Sequence, residues 1–249
     1  MCFKIVWVLA GILLFVFAPL KVFSNLDSIG FVESGWFTAL FFGIIMAILL
    51  LIKFSKVDVE NLKVKRNIPL AIISVLVAAS FFFCISTYYN DKSLYDFEWQ
   101  PVMMAILSIL ACLTFVIMAV TLLTGKNLFS FLSFFIFCPV FWFSFDMILF
   151  LSIQNDNSDI YDITLTAFSA LFFLYYTQVF STSSNLNILK LIIGFGIPTV
   201  ILSFMKSSLI AINYSVNPSL VSKVELSTVN MQFFVAIYII FVLIDAVKE

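Results

Sequence analysis

Eight stretches of roughly twenty mostly apolar residues, joined by loops too short for a soluble domain, leave this chain one environment in which to fold. They run over about 4–22, 36–54, 69–89, 102–123, 128–152, 163–180, 188–207 and 228–246. A helix rises about 1.5 Å per residue and the hydrocarbon core is about 30 Å thick, so each run has the length of a transmembrane helix. Lipid offers the backbone no hydrogen-bond partners, and the runs are too long for barrel strands, so helices are the expected spanning form. Pro69 and Pro101 fall where two of these helices should begin, a position that tolerates the missing N–H. The first apolar run has no small-residue cleavage site after it and reads as a retained span.

Composition agrees. Apolar residues make up 63% and charged residues 11% of the chain, where a soluble domain carries about 25% charged. A water-soluble fold of this length could not cover so much apolar surface. No basic tail or patch suggests nucleic acid.

Orientation follows from the lysines. With the N-terminus cytoplasmic, Lys4, Lys53, Lys56, Lys63, Lys65, Arg66, Lys126, Lys190 and Lys248 fall inside, against Lys21, Lys92, Lys206 and Lys223 outside. The positive-inside rule then puts both termini in the cytoplasm. Acids such as Asp91, Asp96, Asp162 and Glu225 fall outside, and Trp36, Trp99, Tyr88, Tyr89, Tyr95 and Tyr161 gather at the outer helix ends as an aromatic belt would. Twelve lysines to one arginine, with abundant Phe and Ile, point to an AT-rich genome and a Gram-positive bacterium, hence to a bacterial plasma membrane.

The two halves resemble one another. Phe15-Val-Phe-Ala-Pro19-Leu20 matches Phe135-Ile-Phe-Cys-Pro139-Val140, and Phe37-Thr-Ala-Leu-Phe-Phe42 matches Phe168-Ser-Ala-Leu-Phe-Phe173. Asn67–Ile73 resembles Asn187–Ile193, and Phe115–Met118 resembles Phe241–Ile244, in the same order. The expected architecture is an all-α membrane bundle of about eight helices, a tandem repeat of two four-helix halves, 1–126 and 127–249, within one membrane domain. Four is even, so the halves would share one orientation, as parallel repeats do among transporters that hold solute between them.

Few residues in the spans carry chemistry. Asp146 is the one acid well inside an apolar run; such a charge is costly in lipid and marks a functional position unless it lies at the membrane boundary. Pro139, Trp142 and Asp146 are spaced to share a helix face. Gly194, Gly196 and Pro198 interrupt another run, either as a broken helix whose backbone binds solute or as a site of close helix packing. Tyr175, Tyr176, Thr177 and Gln178 form a polar group on the 163–180 helix, and Asn230 and Gln232 another on the last helix; both suit a cavity lining or interhelical hydrogen bonds. The candidate substrate-binding residues are therefore Asp146, Trp142, Tyr175, Tyr176, Gln178, Gly194 and Gly196. Lys63, Lys65 and Arg66, in the basic loop 53–68, are candidates for binding anionic lipid or a cytoplasmic protein.

Absences exclude more. The chain has no histidine, and its cysteines, Cys2, Cys84, Cys112 and Cys138, stand singly. That argues against zinc sites of the usual spacing, disulfide frameworks, His-based triads and HExxH proteases. Leu122-Leu-Thr-Gly-Lys-Asn127 has the GK of a Walker motif without its first glycine or hydroxyl. No catalytic residues, metal or cofactor are expected, and the sequence sets no oligomeric state.

Cys138-Pro-Val-Phe-Trp142 through Asp146, with Asp162 to Gln178 and its Phe-Phe-Leu-Tyr-Tyr-Thr-Gln, resembles a segment of uncharacterised polytopic membrane proteins of Gram-positive, clostridia-like bacteria. The resemblance covers about forty residues and implies source and topology, with no activity attached. Two functions fit this sequence. One is a small-solute transporter or the membrane subunit of one. The other is an accessory, sensor or anchor protein that docks a partner through loop 53–68. A polar cavity lined by the 128–152, 163–180 and 188–207 helices favours the first; a dry core favours the second.

Overall fold

The computed structural model describes residues 35–54, 65–90, 97–152, 160–181, 186–216, 218 and 221–247. The span expected at 4–22 and most of the basic loop, Lys63 included, lie outside them. Every regular element described is helical: α1 (Gly35–Phe54), α2 (Ile68–Asn90), α3 (Trp99–Thr124), α4 (Cys138–Ser152), α5 (Ile160–Ser181), α6 (Leu186–Val216) and α7 (Lys223–Val247). Five of them, α2, α3, α5, α6 and α7, are long and apolar enough to cross a bilayer, and α1 and α4 supply shorter apolar helices. The chain is thus a multi-pass membrane helix bundle.

Local sequence fixes several helix ends. Asn67 caps α2: its Oδ1 accepts the Leu70 N–H at 3.1 Å. Its own N–H donates to the Leu122 carbonyl of α3 at 3.0 Å, and its Nδ2 reaches Asp245 of α7 at 3.2 Å. One asparagine therefore ties three helices together. Gly125 ends α3 at φ +70 with its N–H on the Thr121 carbonyl, a left-handed turn that glycine enters without steric cost.

Residues 128–152 do not form the single long span the hydropathy suggests. Two 3₁₀ turns, Leu128–Ser130 and Phe135–Phe137, precede the 15-residue α4. Asn127 causes the break. Its Oδ1 accepts from Phe129 N at 3.1 Å while its Nδ2 donates to the Phe180 carbonyl at the end of α5, 2.8 Å away. The Thr114 hydroxyl then holds the Phe135 carbonyl. The opposite error occurs in α6. It runs 31 residues, to Val216, and passes through Pro198 without interruption.

Helix α6 is the axis of the bundle. Of its most apolar window 72% is buried, against 44% for α3. On α3 the residues Val102, Ile106, Ile109, Leu113, Val116, Val120 and Leu123 instead form an exposed apolar stripe, the surface expected to face acyl chains. The pairs α2–α3 and α6–α7, which the sequence likeness between the halves would equate, each pack closely and meet through α2 and α7; α1, which it would equate with α5, contacts α6 and makes no comparable contact with α2. The close approach of α6 to its neighbours depends on Gly196, where an added Cβ would lie 3.1 Å from Ile239, 3.2 Å from Leu243 and 3.2 Å from Phe172.

The middle of the bundle is aromatic. Trp142 meets Phe81 at 5.4 Å and Phe143 at 5.0 Å; Phe115 meets Phe81, Phe173 and Tyr238 at 5.4–5.8 Å. Lipid exerts no hydrophobic drive between helices, so this dense edge-to-face and stacked packing is what holds them. Tyr88 and Tyr161, expected in an interfacial belt, are buried at 1% and 6% exposure. The hydroxyl of Tyr88 meets Thr228 at 3.2 Å, and Tyr161 packs on Phe41 and Phe42. A satisfied hydroxyl removes the reason for a tyrosine to stay at the water interface.

Candidate functional site

One end of the bundle carries Tyr88 at the close of α2, the second half of α4, Asp162 at the start of α5, Lys206 of α6 and the first turns of α7. There a cavity of about 210 Å³ opens, lined by Tyr88, Asp146, Leu149, Phe150, Asp162, Lys206, Ser222, Val224, Glu225 and Thr228. At ~30 Å³ per water it holds about seven waters. All three helices singled out from sequence contribute, joined by α2 and α7.

Asp146 is the ninth residue of α4. Six residues remain beyond it, which sets it about 9 Å below the helix end at ~1.5 Å per residue. Its side chain is 7% exposed, and Oδ2 has no hydrogen-bond partner among the described residues. A buried charged oxygen without a partner costs several kcal/mol in general, so this oxygen requires an explanation. Lys206 and Asp162 are near enough to act on it through space. The lysine itself is committed elsewhere: Nζ forms an ion pair with Asp162 at 3.0 Å and lies 5.2 Å from the centroid of the Phe150 ring.

The wall opposite α4 is the contact between α2 and α7. Thr87 and Ser227 hydroxyls lie 2.8 Å apart, and Tyr88 and Thr228 hydroxyls 3.2 Å apart. One turn deeper than Thr228, on the same face of α7, Gln232 is 1% exposed, with both amide atoms unpartnered among the described residues.

The sequence candidates do not converge on this cavity. Asp146 lines it. Trp142, one turn away on α4, turns into the aromatic core and donates from Nε1 to Ser108 Oγ at 2.8 Å. Tyr176 is buried and receives a hydrogen bond from the Tyr238 hydroxyl at 3.0 Å. Tyr175 stacks on Phe195 at 5.6 Å, and Gln178 is half-buried near the far end of α5. Gly194 faces Leu49 and Gly196 faces α5 and α7, away from the cavity lining. Lys65 and Arg66 are exposed at the end of the bundle opposite the cavity.

What sequence reading missed is Lys206 with its partner Asp162, and the hydroxyls of Tyr88 and Thr228. The available signal was that Lys206, Asp162 and Asp146 all fall near the same predicted membrane face, two acids to one lysine. The chain matches no protein-family model, no curated protein and no solved structure.

Proposed function

We propose that this chain is a small-solute transporter, or the membrane subunit of one, of a bacterial plasma membrane, with its cavity opening to the outside. The observation that carries this reading is Asp146, a carboxylate nine-tenths buried that lines a cavity of about 210 Å³ and has an oxygen without a hydrogen-bond partner among the described residues. Structural carboxylates in membranes are paired, so one that lines a cavity without such a pairing fits a place for cargo. The basic-residue distribution assigns the cavity to the outer side and both termini to the cytoplasm. The aromatic rings beneath it close the path inward, as the sealed side of an alternating-access cycle must be. In the accessory or sensor reading the cavity would face one side permanently.

Two-sided labelling separates these. With the native cysteines replaced by serine, Thr228→Cys would be treated with a membrane-impermeant maleimide in right-side-out and in inside-out vesicles. A transporter exposes this position to both sides in turn and reacts in both preparations. Reaction from the outside alone would reject transport, and reaction from the inside alone would reject the orientation.

A further inference from the structure

The cavity also carries a statement about its cargo, which rests on the reading of the cavity as a solute site. Its charged residues are Asp146, Asp162, Glu225 and Lys206. Lys206 is ion-paired with Asp162 at 3.0 Å, which leaves Asp146 and Glu225 without an ion pair among the described residues. Glu225 is exposed at the rim and water can serve it. Asp146 is buried, and its Oδ2 has neither a donor nor an ion pair among the described residues. The rest of the lining is Tyr88, Phe150, Leu149 and Val224, with the hydroxyl residues Ser222 and Thr228 beside them.

We infer that the site takes a small primary ammonium ion, its N–H donors on the Asp146 carboxylate and its short apolar body against Phe150, Leu149 and Val224. A carboxylate facing aromatic rings is the pairing that an organic cation satisfies, by charge-assisted hydrogen bonds on one side and the ring quadrupole on the other. Lys206 over the Phe150 ring is the protein's own ammonium in the same chemistry. A hard metal ion would need six or more oxygen ligands, and no group of three or more acidic, Cys or His side chains capable of holding one occurs among the described residues. An anion would meet the Asp146 and Glu225 carboxylates, which have no ion pair among the described residues.

Asp162 then acquires a role at a distance. By holding Lys206 it keeps the internal ammonium off Asp146. Removing Asp162 frees Lys206 to occupy Asp146 and compete with the cargo; removing both restores the site.

The test is thermal unfolding of the detergent-purified protein titrated with methylammonium, ethylammonium and propylammonium chlorides. Sodium chloride, sodium propionate and propionamide serve as matched probes. Saturable stabilisation is expected from an alkylammonium salt above that of sodium chloride. Its apparent affinity should fall at least about tenfold in Asp146→Asn, the loss of one charge-assisted hydrogen bond. It should weaken in Asp162→Asn and recover in Asp162→Asn/Lys206→Met. A merely structural Asp162 would give no recovery, and that outcome overturns the shielding role. Equal saturable stabilisation by sodium chloride, or stabilisation by propionate or propionamide in place of the amines, overturns the ammonium assignment while the solute site stands. Two-sided labelling of Thr228→Cys without an amine effect rejects the cargo class and leaves transport intact. An amine effect with one-sided labelling does the reverse.

Discussion

Gly196 gives the sharpest structural prediction. In Gly196→Ala the new methyl group would sit 3.1 Å from Ile239 Cγ2 and 3.2 Å from both Leu243 Cδ2 and Phe172 Cδ2. Those atoms belong to two different helices, so α6 cannot shift away from one wall without meeting the other. Overpacking of this kind costs about 1–3 kcal/mol, offset by the ~0.5–1 kcal/mol that alanine gains over glycine within a helix. The net loss is roughly 0–2.5 kcal/mol, or a fall in Tm of up to about 10 °C for a chain of this size. Two controls share the chemistry without the walls. Gly43 has no atom within 4 Å of its added Cβ, and Gly194 meets only the end of the Leu49 side chain, at 3.3 Å. Thermal unfolding in mild detergent, followed by tryptophan fluorescence, should rank Gly43→Ala as most stable, Gly194→Ala next and Gly196→Ala last. If Gly196→Ala were as stable as Gly43→Ala, the argument that α6 is the tightly packed axis of the bundle would be wrong.

Other perturbations are smaller or more local. Asn67→Ala removes the cap of α2 and the contact with Asp245, so it should cost about 1–2 kcal/mol, while Asn67→Asp keeps the cap and should recover part of that loss. Tyr176→Phe breaks the buried hydroxyl pair with Tyr238 at about 0.6 kcal/mol. Adding Tyr238→Phe also removes that hydroxyl's contact with Ser74, so the double variant should lose less than the sum of the two single losses; fully additive losses in a double-mutant cycle would show that the two tyrosine hydroxyls act independently. Trp142→Phe leaves the Ser108 hydroxyl without its donor and opens space beside Phe81 and Phe143. A loss of about 1–3 kcal/mol is expected, with Asp146-dependent ligand binding retained; loss of binding without loss of stability would place Trp142 in the site.

The helices were legible wherever hydropathy alone decides them. The runs at 36–54, 69–89, 102–123, 163–180 and 228–246 lie within α1, α2, α3, α5 and α7, with ends differing by no more than five residues. Two runs misled for one physical reason: a side chain found a partner that lies far off in sequence. The 128–152 run looks uniformly apolar, yet Asn127 and Thr114 pin its first ten residues to α3 and α5 through hydrogen bonds that hydropathy does not register. The 188–207 run appears to stop at Lys206, since a lysine reads as a boundary. With its charge met by Asp162, Lys206 lies inside a helix that continues for ten more residues.

The site was half visible. Asp146 stood out because an acid inside an apolar run demands an account, whatever the fold. Its surroundings did not stand out, because they come from five helices and consist of ordinary residues: a tyrosine and a threonine at helix ends, a lysine already counted as external. Trp142 and Tyr176 were reasonable candidates by type, but side-chain direction placed both in the aromatic core. Spacing of three and four residues puts Trp142 and Asp146 on one buried face, and still lets them point to different neighbours.

The most direct measurement is native mass spectrometry of the protein extracted gently from its own membrane. A retained small molecule bearing an amine, present in the wild type and lost in Asp146→Asn, is the predicted result, and its mass would name the cargo. A stoichiometric protein partner with no small molecule, or a small molecule retained undiminished in Asp146→Asn, would contradict the reading of Asp146 as the solute-binding carboxylate.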